Sequence, residues 1–225
     1  MGLSLNIRKC RSMSFYRSCS PINFDYNING HNLQKIGSTV KDLDIVFDIK
    51  LKFYPHIESS SSKALKILGY VKRVCIQFKL ITLIKLLYCA LVRSVLEYGS
   101  VLFDPHVISH SYILERVQRK FLNFAGHILK IPHQPHDYSP VHSSLQLSSL
   151  ADKRIQANST FLTKLLSGKI DSPDLLSGIH FKILSVDTRF NHPFYIPVCK
   201  TNYAANDPLI RIMRIANTDP SHSLI

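Results

Sequence analysis

The chain has 225 residues, 45% of them hydrophobic, which is ordinary for a folded core and enough for one large domain or two small ones. Its 28 Lys and Arg against 15 Asp and Glu leave a formal charge of +13, a balance that favours an anionic partner such as nucleic acid. The only glutamates are Glu58, Glu97 and Glu115, and no two aspartates adjoin, so no paired-carboxylate site is offered by local spacing.

In chain order, "INFDYNINGHNL" alternates apolar Phe24, Tyr26 and Ile28 with polar neighbours. It then meets Asn29-Gly30, the strongest short signal for a hairpin turn. "VKDLDIVFDIKL" reads as a further strand around Ile45, Val46 and Phe47, and the two stretches together predict a small antiparallel piece. On one strand, Asp42, Asp44 and Asp48 would share a face; charges on an exposed edge explain that pattern better than a metal site does.

After Pro55 the period becomes helical. In "ESSSSKALKILGYVKRVC" the residues Ala64, Ile67, Leu68, Val71 and Cys75 recur on one side, with Lys63, Lys66 and Arg73 opposite. Ile81 to Tyr98 is apolar nearly all round, as expected of a central helix, and Gly99 supplies its end. A third helix, about Ser111 to Ala125, sets Leu114, Val117, Phe121 and Phe124 against Arg116, Arg119 and Lys120.

"IPHQPHDYSPVHSS" reads as a loop, and Ser149-Leu-Ala-Asp152 opens a fourth helix with a capping-box-like start, running to about Gly168. Beyond Asp171 the pattern predicts loops and short extended pieces, then one helix capped by Asp207 with Pro208 in its first turn. The fold class expected is α+β, mainly α: short antiparallel strands over 1–54, a helical domain over 55–170 and a loop-rich segment over 171–225.

Cys10, Cys19, Cys75, Cys89 and Cys199 are odd in number, scattered and without a CxxC, which argues for a reducing, intracellular compartment rather than a disulfide framework or zinc ribbon. The opening "MGLSLNIRKC" has no apolar run of the secretory kind, and Asn6 stands where a myristoylation pattern needs Ser or Thr. "LITLIKLLYCALVRSVLEYGSVLF" is interrupted by Lys85, Arg93 and Glu97, which suits a core helix better than a membrane span. His133 and His136, with His127 and His142 nearby, sit around Pro135 in a predicted loop and do not make a zinc motif. No nucleophile elbow, P-loop or GxGxxG is present.

The two basic helix faces are therefore the candidate chemistry. Clustered Lys and Arg meet phosphates without reading sequence. An acidic protein partner of a non-catalytic helical interaction protein is the alternative that the same charges allow.

"LNIRKCRSMSF", "VKDLDIVFD", "KALKILGYVKR", "LYCALVRSVLEYGSVLFDP", "ERVQRKFLNFAG", "FLTKLLSGKID" and "TNYAANDPLIRIMR", in this order, resemble the end of the reverse transcriptase of non-LTR (LINE-type, jockey-like) retrotransposons. The resemblance implies the end of a palm, a thumb-like helical bundle and the segment that follows. It also implies that the family's paired aspartates and their two Mg2+ ions belong to motifs earlier than these, so this chain looks like a tail that holds no cofactor.

Lys9 matches the family's lysine after the catalytic aspartates, a general-acid candidate. Lys41 heads the primer-gripping motif, in which Asp44 stands where the family usually has Gly, and Phe103 replaces a common Trp. The helix from Glu58 to Cys75 matches the thumb helix that follows the template–primer duplex. The function implied is that of an RNA-directed DNA polymerase fragment, inactive alone, which binds RNA–DNA or DNA duplex without sequence preference through Lys41, Lys63, Lys66, Arg73, Arg116, Arg119 and Lys120.

Overall fold

The computed structural model describes residues 5–17, 24–182 and 192–218. The chain divides into two compact units, Met1–Ser62 and Lys63–Ile225. Mainly helical with short strands near the N-terminus, it has the expected α+β class.

The first unit opens with a 3-10 turn, Ile7–Lys9, followed by strands β1 (Arg11–Ser12), β2 (Asn27–Ile28), β3 (His31–Asn32), β4 (Gln34–Lys35), β5 (Thr39–Asp42) and β6 (Ile45–Asp48). β2 and β3 form the expected antiparallel hairpin, and Asn29 and Gly30 take φ of 51° and 78°. Positive φ at both centres is what a two-residue turn of this hand needs. β1 and β4 add a short parallel pair.

The run expected to be one strand is a second hairpin. Asp42 pairs with Ile45, so Leu43 and Asp44 make a two-residue turn at φ 44° and 65°. Asp44 thus adopts the left-handed backbone that a glycine would take more readily, as Asp can do at modest cost. The three aspartates consequently serve different ends. Asp44 binds Lys41 at 2.6 Å, while Asp48 accepts the N–H groups of Lys50, Lys52 and Phe53 and turns the chain after β6. Phe47 meets Phe15 and Phe53 edge to face and supplies this unit's aromatic centre.

Helix α1 (Tyr54–Gln77) carries Pro55 in its first turn, where a missing N–H costs nothing. Its buried His56 ring accepts the Val46 N–H at Nδ1, 3.3 Å, and has Ser60 Oγ at 3.3 Å from Nε2. The division between the units falls within this helix. In the second unit Ala64, Leu68, Val71 and Cys75 are buried as their spacing requires.

The expected single helix from Ile81 is more varied: α2 (Ile81–Leu87), a π-helical segment (Tyr88–Arg93) and α3 (Ser94–Glu97). Buried Ile84, Tyr88, Val92 and Leu96 recur every four residues. On an α-helix each such step overshoots a turn by about 40°, so three steps would carry the stripe about 120° round. Wider winding over 88–93 keeps it facing one way, and the opposite side, including Leu86 and Leu91, is exposed rather than buried all round. Tyr98 is extended and Gly99 is left-handed, at φ 71°, before α4 (Ser100–Phe103).

Helix α5 (Ile108–Ile128) buries Leu114, Val117 and Phe121, and Phe121 stacks on Tyr88 with ring centres 3.8 Å apart. Part of the expected loop after it is helical: α6 (Ser139–Leu145) has Pro140 in its first turn and buries Val141 and Leu145 one turn apart. That tertiary packing outweighs the turn-forming composition. Ser149 caps α7 (Leu150–Leu166), its Oγ accepting the Asp152 N–H at 3.0 Å.

Beyond it lie the short α8 (Pro173–Ser177) and α9 (Asn202–Ala205), neither of them expected, and α10 (Pro208–Thr218), where Asp207 accepts the Leu209 N–H as its sequence suggested. This C-terminal segment shares a core with α7: Leu162 and Leu165 cluster with Ile179, Phe194, Ile212, Met213 and Ala216.

A buried polar knot ties the same elements. Asp104, just after α4, faces Arg154 of α7 at 3.1 Å and Arg211 of α10 at 3.6 Å, and accepts from Asn158 at 3.0 Å. Arg154 also reaches Glu115 of α5 at 3.5 Å, and Arg211 donates to the Val101 carbonyl. Nearby, Arg93 pairs with Glu97 one turn on.

Candidate nucleic-acid interface

On α1, Lys63, Lys66 and Arg73 are exposed opposite the buried stripe. On α5, Arg116, Arg119 and Lys120 are exposed as expected. The two helices meet at a residue the sequence reading left out. Lys72 lies on the flank of α1, and its ammonium sits 5.4 Å from the centre of the Phe124 ring of α5. Its pKa is lowered by burial first and then by the charge of Lys120, which sets these two like charges side by side. Arg119 stacks instead over Tyr112 of its own helix, 4.7 Å from the ring centre.

Arg116, Lys120, Asn123 and His127 follow one another at spacings of four, three and four residues, and so form one line along α5. Among the described residues, Lys66, Arg73, Arg116 and Lys120 have no ion-pair partner. Glu97, Asp104 and Glu115 are engaged by the interior arginines Arg93, Arg154 and Arg211. The helical unit therefore uses these acids inside and leaves cations outside. A polyanion laid along α1 and α5 would relieve the repulsion between Lys72 and Lys120, and each cation could neutralise one phosphate.

Lys9 and Lys41 belong to the first unit. Lys9 is exposed at the end of the 3-10 turn, and Lys41 is held by Asp44 across the β5–β6 turn. Among the described residues no group of three or more His, Cys, Asp or Glu converges as a metal site would require. His133 instead packs beside Tyr138, with ring centres 5.4 Å apart, and donates from Nδ1 to the Gln134 carbonyl. Cys19 lies outside the described residues, while Cys10, Cys75, Cys89 and Cys199 are free thiols. Among the described residues no helix is long and apolar enough to cross a membrane. No protein-family model, curated protein or solved structure matches this chain.

Sequence reasoning missed Lys72 because it looked for cations directly opposite the core stripe. A lysine at the edge of the stripe can lay its methylenes on an apolar neighbour while its head reaches water. The signal was the aromatic at position 124, on the α5 edge next to Lys120.

Proposed function

We propose that the α1–α5 face binds the sugar-phosphate backbone of an RNA–DNA or DNA duplex without sequence preference, as the thumb-like part of a retrotransposon-type RNA-directed DNA polymerase. The chain by itself binds and does not polymerise. One observation carries the reading: Lys72 and Lys120 are packed together beside a line of exposed cations that lack acidic partners. The net charge of +13 supports it, as does the ordered set of motifs that resembles the family.

The test is duplex affinity against salt. Each phosphate neutralised contributes about −0.9 to the log–log slope, so Lys66, Lys72, Arg73, Arg116 and Lys120 together give a slope of about −4 to −5. Lys120→Gln lowers its magnitude by about 1 and weakens unrelated duplex sequences equally. A slope near zero, with binding governed by a few apolar anchors, would instead identify a protein partner. Magnesium-dependent primer extension by the purified chain would overturn the claim that it only binds.

A further inference from the structure

A cavity of about 550 Å³ opens where the line of cations on α5 ends. Lys79, just past α1, and Lys130, just past α5, line it together with Asn123, His127 and His133, and none of its lining residues is acidic. Its other wall is apolar, made by Ile128, Ile131 and Pro132. The volume suits a small ligand of nucleotide size rather than a lone ion.

The site is held in place from below. Gly126 lets the His133 ring lie against the α5 backbone: a Cβ there would come within 3.0 Å of His133 Nε2 and 3.1 Å of Val141 Cγ2. With Nδ1 donating to the Gln134 carbonyl, the orientation of that ring is fixed. The α5 carbonyls that would otherwise oppose an anion are occupied, since Ala125, Gly126 and His127 accept from Leu129, Lys130 and Ile131 N–H groups. Asp137 feels the charge of His133, but its carboxylate accepts the Ser139 N–H at 3.0 Å.

We propose that this cavity is a phosphate-binding subsite for one nucleotide unit, with the phosphate on Lys79, Lys130 and His127 and the sugar or base against Ile131 and Pro132. It rests on the nucleic-acid reading only for a strand as the source of that nucleotide; a free mononucleotide presents the same chemistry.

The full chain, labelled for NMR, is titrated with inorganic phosphate, with deoxyadenosine monophosphate and with a DNA duplex, following the His127 and His133 ring resonances. All three should shift both rings. Lys79→Gln combined with Lys130→Gln should weaken phosphate and mononucleotide binding by about tenfold or more, as expected for two lost charge-assisted contacts. Lys164→Gln on α7 should leave both unchanged. If the duplex binds with its salt slope intact while neither small probe moves the rings, the subsite is refuted and the backbone reading stands. If the small probes bind and the duplex does not, the subsite stands with a free nucleotide as its source, and the duplex reading falls.

Discussion

Asp104→Asn removes one negative charge and almost no volume, so it isolates what the buried knot contributes. Arg154 and Arg211 have side chains only 7% and 12% exposed, and Asp104 is 16% exposed, so solvent cannot replace the lost carboxylate. Arg154 keeps Glu115 and Ser111, whereas Arg211 keeps only the carbonyls of Val101 and Asn206. Breaking a buried pair by removing one partner costs about 3–5 kcal/mol, and the contacts left to Arg154 put this case near the lower end. A loss of about 3 kcal/mol lowers the Tm of a chain this size by about 6–12 °C. Urea unfolding followed by circular dichroism should show a lower midpoint with an unchanged slope. Glu115→Gln, at a longer contact, should cost under about 1.5 kcal/mol. The reasoning fails if Asp104→Asn costs less than about 1 kcal/mol, or if a double-mutant cycle with Arg211→Met gives no coupling.

His56 supplies a pH dependence in the first unit. Burial lowers its pKa below the usual 6.5, against a smaller opposing effect of Asp44, so the unfolded chain binds a proton that the folded ring resists. The stability it contributes is complete above about pH 6.5 and is lost as pH falls through the folded value. Protection of the Val46 amide against hydrogen exchange should therefore drop between pH 7 and 5, and His56→Gln should remove that dependence; constant protection would contradict it. Tyr88 has a buried hydroxyl with no partner among the described residues, and burial pushes its pKa up. Tyr88→Phe should leave stability unchanged or raise it by up to about 1 kcal/mol in the same urea assay, and a loss beyond that would show that the hydroxyl is satisfied.

Where one residue dictates local geometry, the sequence was legible. Asn29-Gly30 turned, Ser149 capped α7 toward Asp152, and Asp207-Pro208 began α10. The Leu43-Asp44 turn was not, because neither residue prefers φ above zero; the turn follows from pairing Asp42 with Ile45 and burying Ile45. Helix α6 was hidden for the same kind of reason, since its Pro and Ser content reads as loop until Val141 and Leu145 find a core. On the candidate surface, exposure of the predicted lysines and arginines on α1 and α5 was readable from period alone. Their meeting point was not: Lys72 and Lys120 are far apart in sequence, and helical period is blind to which flank of one helix will touch another.

The π-helical segment makes this part of the chain sensitive to length rather than to composition. Residues 88–93 act as an angular spacer: shortening them by one would return the winding to that of an α-helix and swing everything downstream by about 100°. Gly99, Phe103 and Asp104 would then arrive on the wrong side of α7. Substitutions within the run can be absorbed by repacking, whereas a single-residue insertion or deletion cannot, so among relatives of this chain the interval from Ile84 to Asp104 should vary in its residues and keep its number.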